Sequence, residues 1–505
     1  MKTKYILFSI LLLICYACSK DSGNYDYSEV NKLTVVDTAG TPITEKTYDL
    51  MAGDTIDIQL KVSGTMPDFD PTKVNFTWVL GKDTIAKGTK VSFNSSMFAG
   101  GANVVMIRAV DYMTNAEYLY TINVNVTRGI TRGIMILAED AAKNGVLYLK
   151  SSLTTTSKLL TYSALGKNDE YPIGAEPLNV ELIYSGGRYP SFALSSKKGD
   201  YAWMLVDLPT MTPTKLVSRK GTGMNGGDLN ITYYKNFWNE INGSGYMVEN
   251  GKVRYLANGY LRGDVYAGAD NTYDFGKGNI AFTNFNQIKG TGLLGFDENS
   301  KRILLMQYNG STPFVFPSVS QTLSSDPIEG VSYWGSGSDQ DYGTGYAILL
   351  RNGDKISNYQ TMNEFNWKTY RYEWTKFKKV GEGTVPNAEK AVDIRFNRWN
   401  AYFYYAVGRT IYRLPFASVT PSAYLTLPDD GSGDIVAWNF DREEAKANHQ
   451  NIAIATYNPN STKEKKGSFY HYSLKPDGKG QQVTPISSEL YKIDKAVSVT
   501  LGVEL

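Results

Sequence analysis

Seven segments of this chain repeat one pattern: a short apolar strand, a turn, and a second strand in which apolar and polar residues alternate. They run over 132–150, 200–217, 244–257, 291–308, 344–359, 400–415 and 451–474. Their starts lie about 45 to 65 residues apart, the repeat length of a four-stranded propeller blade rather than of a helical solenoid. Turns such as Glu249-Asn250-Gly251-Lys252 and Arg351-Asn352-Gly353-Asp354 carry Asn-Gly, the pair that tolerates the left-handed backbone of a tight hairpin. Segments between the hairpins, such as 391–399 before the strand beginning at 400, supply the remaining strands of each blade. The pattern therefore predicts a β-propeller over 129–505, with seven blades.

The preceding stretch has a different texture. From Leu33 to Val126 it reads as six or seven short strands with turn signals between them. Ile56, Ile58, Leu60 and Val62 alternate with Asp57, Gln59 and Lys61, which places one face in a core and the other in water. That many strands in about 95 residues make an Ig-like sandwich over 31–128, and Trp78, in a central strand, belongs to its core. No segment sustains a helical period, so the expected class is all-β throughout. Aromatic residues make up 13% of the chain, with 37 Tyr, a composition that suits strands and an exposed binding face.

The first residues have the physics of an export leader: Lys2 and Lys4, an apolar run from Tyr5 to Ile14, then Cys15-Tyr16-Ala17-Cys18. The run is far short of the roughly 20 residues that a membrane-spanning helix needs. A small residue before the cleavage point selects Cys18, preceded by Ala17, over Cys15, preceded by Ile14. The expectation is a lipoprotein signal peptide over 1–17, a lipid on Cys18 and a polar tether over 18–30, with ordinary cleavage to a soluble secreted protein as the alternative. Both cysteines of the chain lie in this region, so the mature protein has no internal disulfide to form.

Charge excludes some partners. The chain holds 52 basic and 50 acidic residues, and loss of Lys2 and Lys4 with the leader leaves 50 against 50. Such a balance gives no reason to expect nucleic acid or an anionic polymer as partner.

Particular residues carry a family resemblance. Phe76-Thr77-Trp78 runs into Gly81-Lys82-Asp83, and a later strand ends Ala109-Val110-Asp111; this is similar to PKD domains. Together with the acylated Cys18 and the Gly133-Ile134-Met135-Ile136-Leu137 strand opening the blade series, the chain resembles the PKD-like family lipoproteins of Bacteroidetes. Cys18-Ser19-Lys20-Asp21 resembles the export signal of their surface lipoproteins. The resemblance implies an outer-membrane location beside a SusC/SusD-like uptake pair, with a nutrient oligomer, glycan or peptide, as ligand. It implies no catalytic residue.

The search for chemistry agrees with a binding role. The sequence has no H-E-x-x-H, G-x-S-x-G, P-loop or paired Cys-x-x-Cys, and only His449 and His471 are available for histidine chemistry. No cofactor or metal is expected; the acidic loops at 338–343 and 429–434 read as turns before they read as Ca²⁺ sites. A glycosidase needs only two carboxylates at the right distance, and Asp228, Asp264, Asp270, Asp274, Asp341, Asp393 and Asp434 are all candidates, with no pair distinguished. The aromatic residues are the better functional signal, because sugar rings and peptide side chains pack on flat apolar faces. Trp334, Trp367, Tyr370 and Trp438 are the expected ligand contacts, although propellers also bury aromatics between blades. The leading expectation is a tethered, non-catalytic binding protein; a propeller glycoside hydrolase or lyase, and a purely structural transporter partner, are the alternatives.

Overall fold

The computed structural model describes residues 31–51, 54–99, 101–127, 133–151, 159–163, 170–185, 188–236, 245–257, 259–261, 274, 280–284, 291–297, 302–308, 313–316, 331–333, 343–368, 371–397, 402–441, 451–474 and 483–502. The chain divides into two compact units, Met1–Leu50 with Asp54–Val126, and Met51–Gly53 with Thr127–Leu505. The described residues contain strands and short 3-10 turns only, so the all-β expectation holds.

The first unit is a β-sandwich. A five-stranded antiparallel sheet runs in the order Thr47–Met51, Ala116–Thr127, Gly101–Asp111, Val74–Leu80, Asp83–Lys87. Thr34–Val36 with Lys61–Ser63, and Thr55–Gln59 with Lys90–Asn94, form two smaller antiparallel pairs. Alternation puts Val74, Phe76 and Trp78 of one strand into the same core as Ile58, Val91 and Phe93. Trp78 is wholly buried, meets Phe93 edge to face at 5.5 Å, and donates its indole N–H to the Gly88 carbonyl at 2.9 Å. A buried indole needs such a partner, and its presence makes Trp78 a core residue, as its position predicts.

The second unit is a β-propeller. Among the described residues it holds seven four-stranded antiparallel sheets. Blades 2 to 7 use consecutive strands, with the first innermost. The inner strands are Pro177–Ser185, Ile231–Asn236, Ile280–Asn284, Val331–Tyr333, Val392–Asn397 and Asp434–Phe440. Blade 1 is assembled from both ends of the unit: Gly133–Glu139, Gly145–Ser151 and Leu159–Thr161 are completed by the C-terminal strand Lys495–Gly502, which pairs with Gly133–Glu139. Inner strands lie against one another between blades 1 and 2, 2 and 3, 4 and 5, 5 and 6, 6 and 7, and 7 and 1.

The core sits between blades, which explains the continuous apolar runs. In Gly133–Glu139, Met135 and Leu137 pack with Phe192 and Leu194 of blade 2, while Ile134 and Ile136 pack with Ala453 and Phe469 of blade 7. Both faces of a blade are covered, so both sets of alternating positions must be apolar. The equivalent layer between blades 6 and 7 joins Tyr404 and Ile411 to Trp438, Ile452 and Ile454.

Two expectations shift. Six of the seven sequence hairpins are the second and third strands of their blades, but 200–217 contains the third and fourth of blade 2, Tyr201–Asp207 and Pro213–Ser218. The second strand, Arg188–Ser196, pairs with Pro177–Ser185 before it and with Tyr201–Asp207 after it. At Glu249–Lys252 the central Asn250 and Gly251 have φ of 48° and 75°, the expected turn. At the blade 5 hairpin the closing pair is Asn352 with Lys355, so Gly353 and Asp354 occupy the turn, one residue later than Asn-Gly spacing predicts.

Candidate functional site

The inner strand of each blade has a paired edge and a free edge, and its outward backbone groups need partners. Side chains from neighbouring inner strands supply them. Asp393 of blade 6 accepts the Trp438 N–H of blade 7 at 3.3 Å, and Asn439 of blade 7 donates to the Val499 carbonyl of blade 1 at 3.0 Å. Ser498 of blade 1 accepts the Val180 N–H of blade 2 at 3.3 Å, and Asn179 of blade 2 donates to the Tyr234 carbonyl of blade 3 at 2.9 Å. The middle of the ring is thus lined by polar side chains on otherwise apolar strands.

Blade 6 departs furthest from regular geometry. Pairing of its inner strand jumps from Val392 opposite Ala406 to Arg395 opposite Tyr404. This bulge re-aims the side chains that follow it. Asp393, inside the bulge, has φ of 48°, a left-handed backbone that costs a non-glycine residue of order 1 kcal/mol or more. Its side chain keeps 34% of its surface open, and a carboxylate oxygen lies 3.8 Å from Arg395 Nη2. Burial amid the ring raises the Asp393 carboxyl above the usual range, opposed by Arg395 and the Trp438 amide. The Arg395 Nε–H is buried and has no hydrogen-bond partner among the described residues, an unmet donor beside an open carboxylate.

Charge on blades 2 and 6 also acts on a tyrosine of blade 3. The Tyr233 hydroxyl of blade 3 is pushed well above its ordinary range, first by burial, then by Glu181 of blade 2, while Arg395 of blade 6 pulls it down. Asp393 and Arg395 place a carboxylate acceptor beside a guanidinium donor on the inner strand of blade 6.

The sequence candidates fall elsewhere. Trp367 lies in the turn between Lys355–Asn366 and Arg371–Thr384 and is 60% exposed. Trp438 is a correction: it has no exposed surface, and its indole N–H donates to the Val392 carbonyl at 3.0 Å between blades 6 and 7. With both faces packed it offers nothing to a ligand. Trp334, Tyr370, Cys18, Asp264, Asp270, Asp341 and His449, with residues 338–342 and 442–448, lie outside the described residues. Asp228 and Asp434 are exposed and Asp274 is half-buried. In the acidic loop at 429–434, Asp430 accepts from Arg409 at 3.0 Å, the Ser432 amide at 3.1 Å and the Tyr470 hydroxyl at 2.5 Å, which ties the connection between blades 6 and 7.

Asp393 was one carboxylate among many in the sequence, while Glu181, Tyr233 and Arg395 went unnoticed. The available signal was a pair of charges, Asp393 and Arg395, inside a strand-like segment directly before an apolar hairpin.

Fold and site together define an all-β protein of two units, a PKD-like sandwich and a seven-bladed propeller with a polar centre. The PKD-like family model matches residues 15–167, which takes in the sandwich and runs on through the first three strands of blade 1. No curated protein sequence matches the chain. Among solved structures it is similar to a quinonprotein alcohol dehydrogenase-like protein from Bacteroides thetaiotaomicron VPI-5482, at 11% identity and a TM-score of 0.49 over 93% of this chain and 99% of that one. It is also similar to the Nup133 β-propeller domain of Vanderwaltozyma polyspora, at 12% identity and a TM-score of 0.36 over 82% and 100% of the two chains.

Proposed function

We propose that this chain is a lipid-anchored protein of the outer-membrane surface that binds a nutrient oligomer through its propeller beside a SusC/SusD-like uptake pair. The carrying observation is the strained bulge on the inner strand of blade 6, where Asp393 and Arg395 stand 3.8 Å apart with about a third of each side chain open. Paired polar groups set within an apolar scaffold are what a binding site needs in order to orient a ligand. The exposed Trp367 adds a flat apolar surface of the kind sugars and peptides use. Cys18 carries the lipid in this reading, and the residues that follow it let the protein reorient at the membrane. Retention of glycan and peptide panels by the full mature protein, with co-purification of an uptake pair from membranes, tests the proposal; no retention of either class and no co-purifying complex removes it.

A second reading rests on Asp393 itself. A carboxyl whose pKa is raised by burial suits a general acid, which supports a carboxylate-dependent glycoside hydrolase or lyase. Release of product from a polysaccharide panel, abolished in Asp393→Asn, selects this reading; an inert wild-type protein rejects it.

A further inference from the structure

Blades 7 and 1 meet where the ring closes, and the outer half of their junction is fastened by charge. Along Gly145–Ser151, Leu147 and Leu149 pack with Phe192 and Met204 of blade 2, so the alternate residues Tyr148 and Lys150 face blade 7. Along Gly467–Ser473, Tyr470 and Tyr472 pack with Tyr404 and Ile411 of blade 6, so Phe469 and His471 face blade 1. Tyr148 and Phe469 share one apolar layer, which places Lys150 and His471 on opposite walls of the same junction. Lys150 keeps 2% of its surface open and His471 3%, and among the described residues no other lysine or histidine is buried.

The groups around the imidazole balance only while it is neutral. Lys150 Nζ meets Glu489 Oε1 at 2.6 Å across the junction. In the pairing of Thr484–Ile493 with Gly467–Ser473, Ser487 stands opposite His471 and Glu489 opposite Phe469, so Glu489 is the diagonal neighbour of the imidazole. From Asn451–Tyr457, Asn451 Oδ1 lies 3.2 Å from His471 Nε2, and the Asn451 amide donates to Asp441 at 3.1 Å. Two residues back along the blade 1 strand, Tyr148 donates to Asp494 at 2.5 Å and Lys465 bonds both. His471 thus faces one ammonium, one carboxylate that the ammonium already holds, and Asp441 behind an amide. A proton on the imidazole adds a second cation to an enclosed space with no free carboxylate beside it, and burying such a charge is costly. Burial first, and then Lys150, lower the His471 pKa accordingly.

We infer that the junction of blades 7 and 1 is an acid-sensitive latch: protonation of His471 opposite the Lys150 ammonium parts the two blades along their outer strands and leaves the rest of the ring folded. Opening lets water reach both cations at once. The inner half of the junction, where Ile134, Ile136, Ala453 and Val499 pack together, is apolar and stays shut. The latch is closed above pH 6.5 and opens progressively as the pH falls toward about 4, the range in which an imidazole in water takes a proton and the enclosed one does not.

Hydrogen exchange of the full mature protein, read by mass spectrometry at about pH 7 and about pH 4.5 and corrected for the intrinsic pH dependence of exchange, tests this. Gly145–Ser151 and Gly467–Ser473 exchange about tenfold or more faster at the lower pH, while the strands of blades 2, 3 and 6 keep their protection. The acid increment vanishes in His471→Gln and shrinks in Lys150→Met, which removes the second cation. Faster exchange spread evenly over all blades, an unchanged junction at the lower pH, or an increment that survives His471→Gln each overturns the latch. Should His471→Gln fail to fold, the regional pattern in the wild type together with Lys150→Met decides: an increment confined to the junction and reduced by Lys150→Met upholds the latch, and any other pattern overturns it.

Discussion

The Ser498 hydroxyl, on the last strand of the chain, accepts the backbone N–H of Val180 across 318 residues of sequence, at 3.3 Å. It is one of five bonds among the described residues by which an inner strand reaches its neighbour, the others joining Asp393 and Trp438, the Trp438 indole and Val392, Asn439 and Val499, and Asn179 and Tyr234. A Ser195 hydroxyl in turn donates to Asn179 and orients it. These bonds cap free strand edges that would otherwise face the ring with unpaired backbone groups. Removing one leaves an amide or carbonyl short of a partner, which costs about 1 to 2 kcal/mol where water reaches it poorly. Ser498→Ala and Asn439→Leu should each lower stability by about that amount in urea melts, and the double variant should depart from their sum, since both bonds meet at adjacent residues of Lys495–Gly502.

Ring closure depends on the C-terminal strand. Lys495–Gly502 supplies the innermost strand of blade 1 and buries Ala496, Val499 and Leu501 against blades 1 and 7. A chain ending at Asp494 loses that strand and exposes the inner edge of Gly133–Glu139. We expect loss of the cooperative thermal transition of the propeller and binding of a dye that reports exposed apolar surface. A truncated chain that melts like the wild type would show that closure contributes nothing.

Trp438 and Trp367 were equals in the sequence and differ sharply in the fold. Trp438→Ala empties a packed layer that includes Tyr404 and Phe440, whose ring centroid is 5.2 Å from that of Trp438, and leaves the Val392 carbonyl without its donor. The expected loss is about 3 to 5 kcal/mol. Trp367→Ala, at an exposed turn, should change stability by about 0.5 kcal/mol or less, so any effect it has on ligand retention reports contact with ligand.

His471 makes stability depend on acid. It is buried in blade 7, 3.2 Å from Asn451 Oδ1, and burial lowers its pKa to about 4, helped by Lys150 and opposed by Asp441. The folded ring stays neutral where the unfolded ring, with an ordinary value of 6.5, takes a proton. Its contribution is therefore complete above pH 6.5, is lost as pH falls from 6.5 to 4, and changes no further below that. The total is on the order of 3 kcal/mol from the width of that window. His471→Gln should flatten the stability profile between pH 6.5 and 4 in denaturant titrations, whatever its effect at pH 7.

Much of the architecture was legible because it rests on local rules. Alternation at Ile58 and Leu60 marked a half-buried strand, and the apolar run at Gly133–Glu139 marked one buried on both faces. Asn250-Gly251 marked a tight turn, because few other pairs accept positive φ twice in succession. The blade 2 hairpin was misplaced by one strand, since the periodic signal of Tyr201–Asp207 is as strong as that of Arg188–Ser196 and nothing local ranks them.

The chain by itself determined that it forms strands, how many hairpins repeat, and which positions are apolar, since each of these depends on neighbours a few residues away. Only the tertiary structure decided that the last strand completes the first blade, that Trp438 is enclosed while Trp367 is open, and that Asp393 reaches the Trp438 amide of the next blade. Those outcomes join residues far apart in sequence, and ring closure sets their distances. The polar lining of the ring owes its existence to that closure: strands that are apolar toward their neighbours bring their few polar side chains against one another's edges, where no local pattern records their meeting.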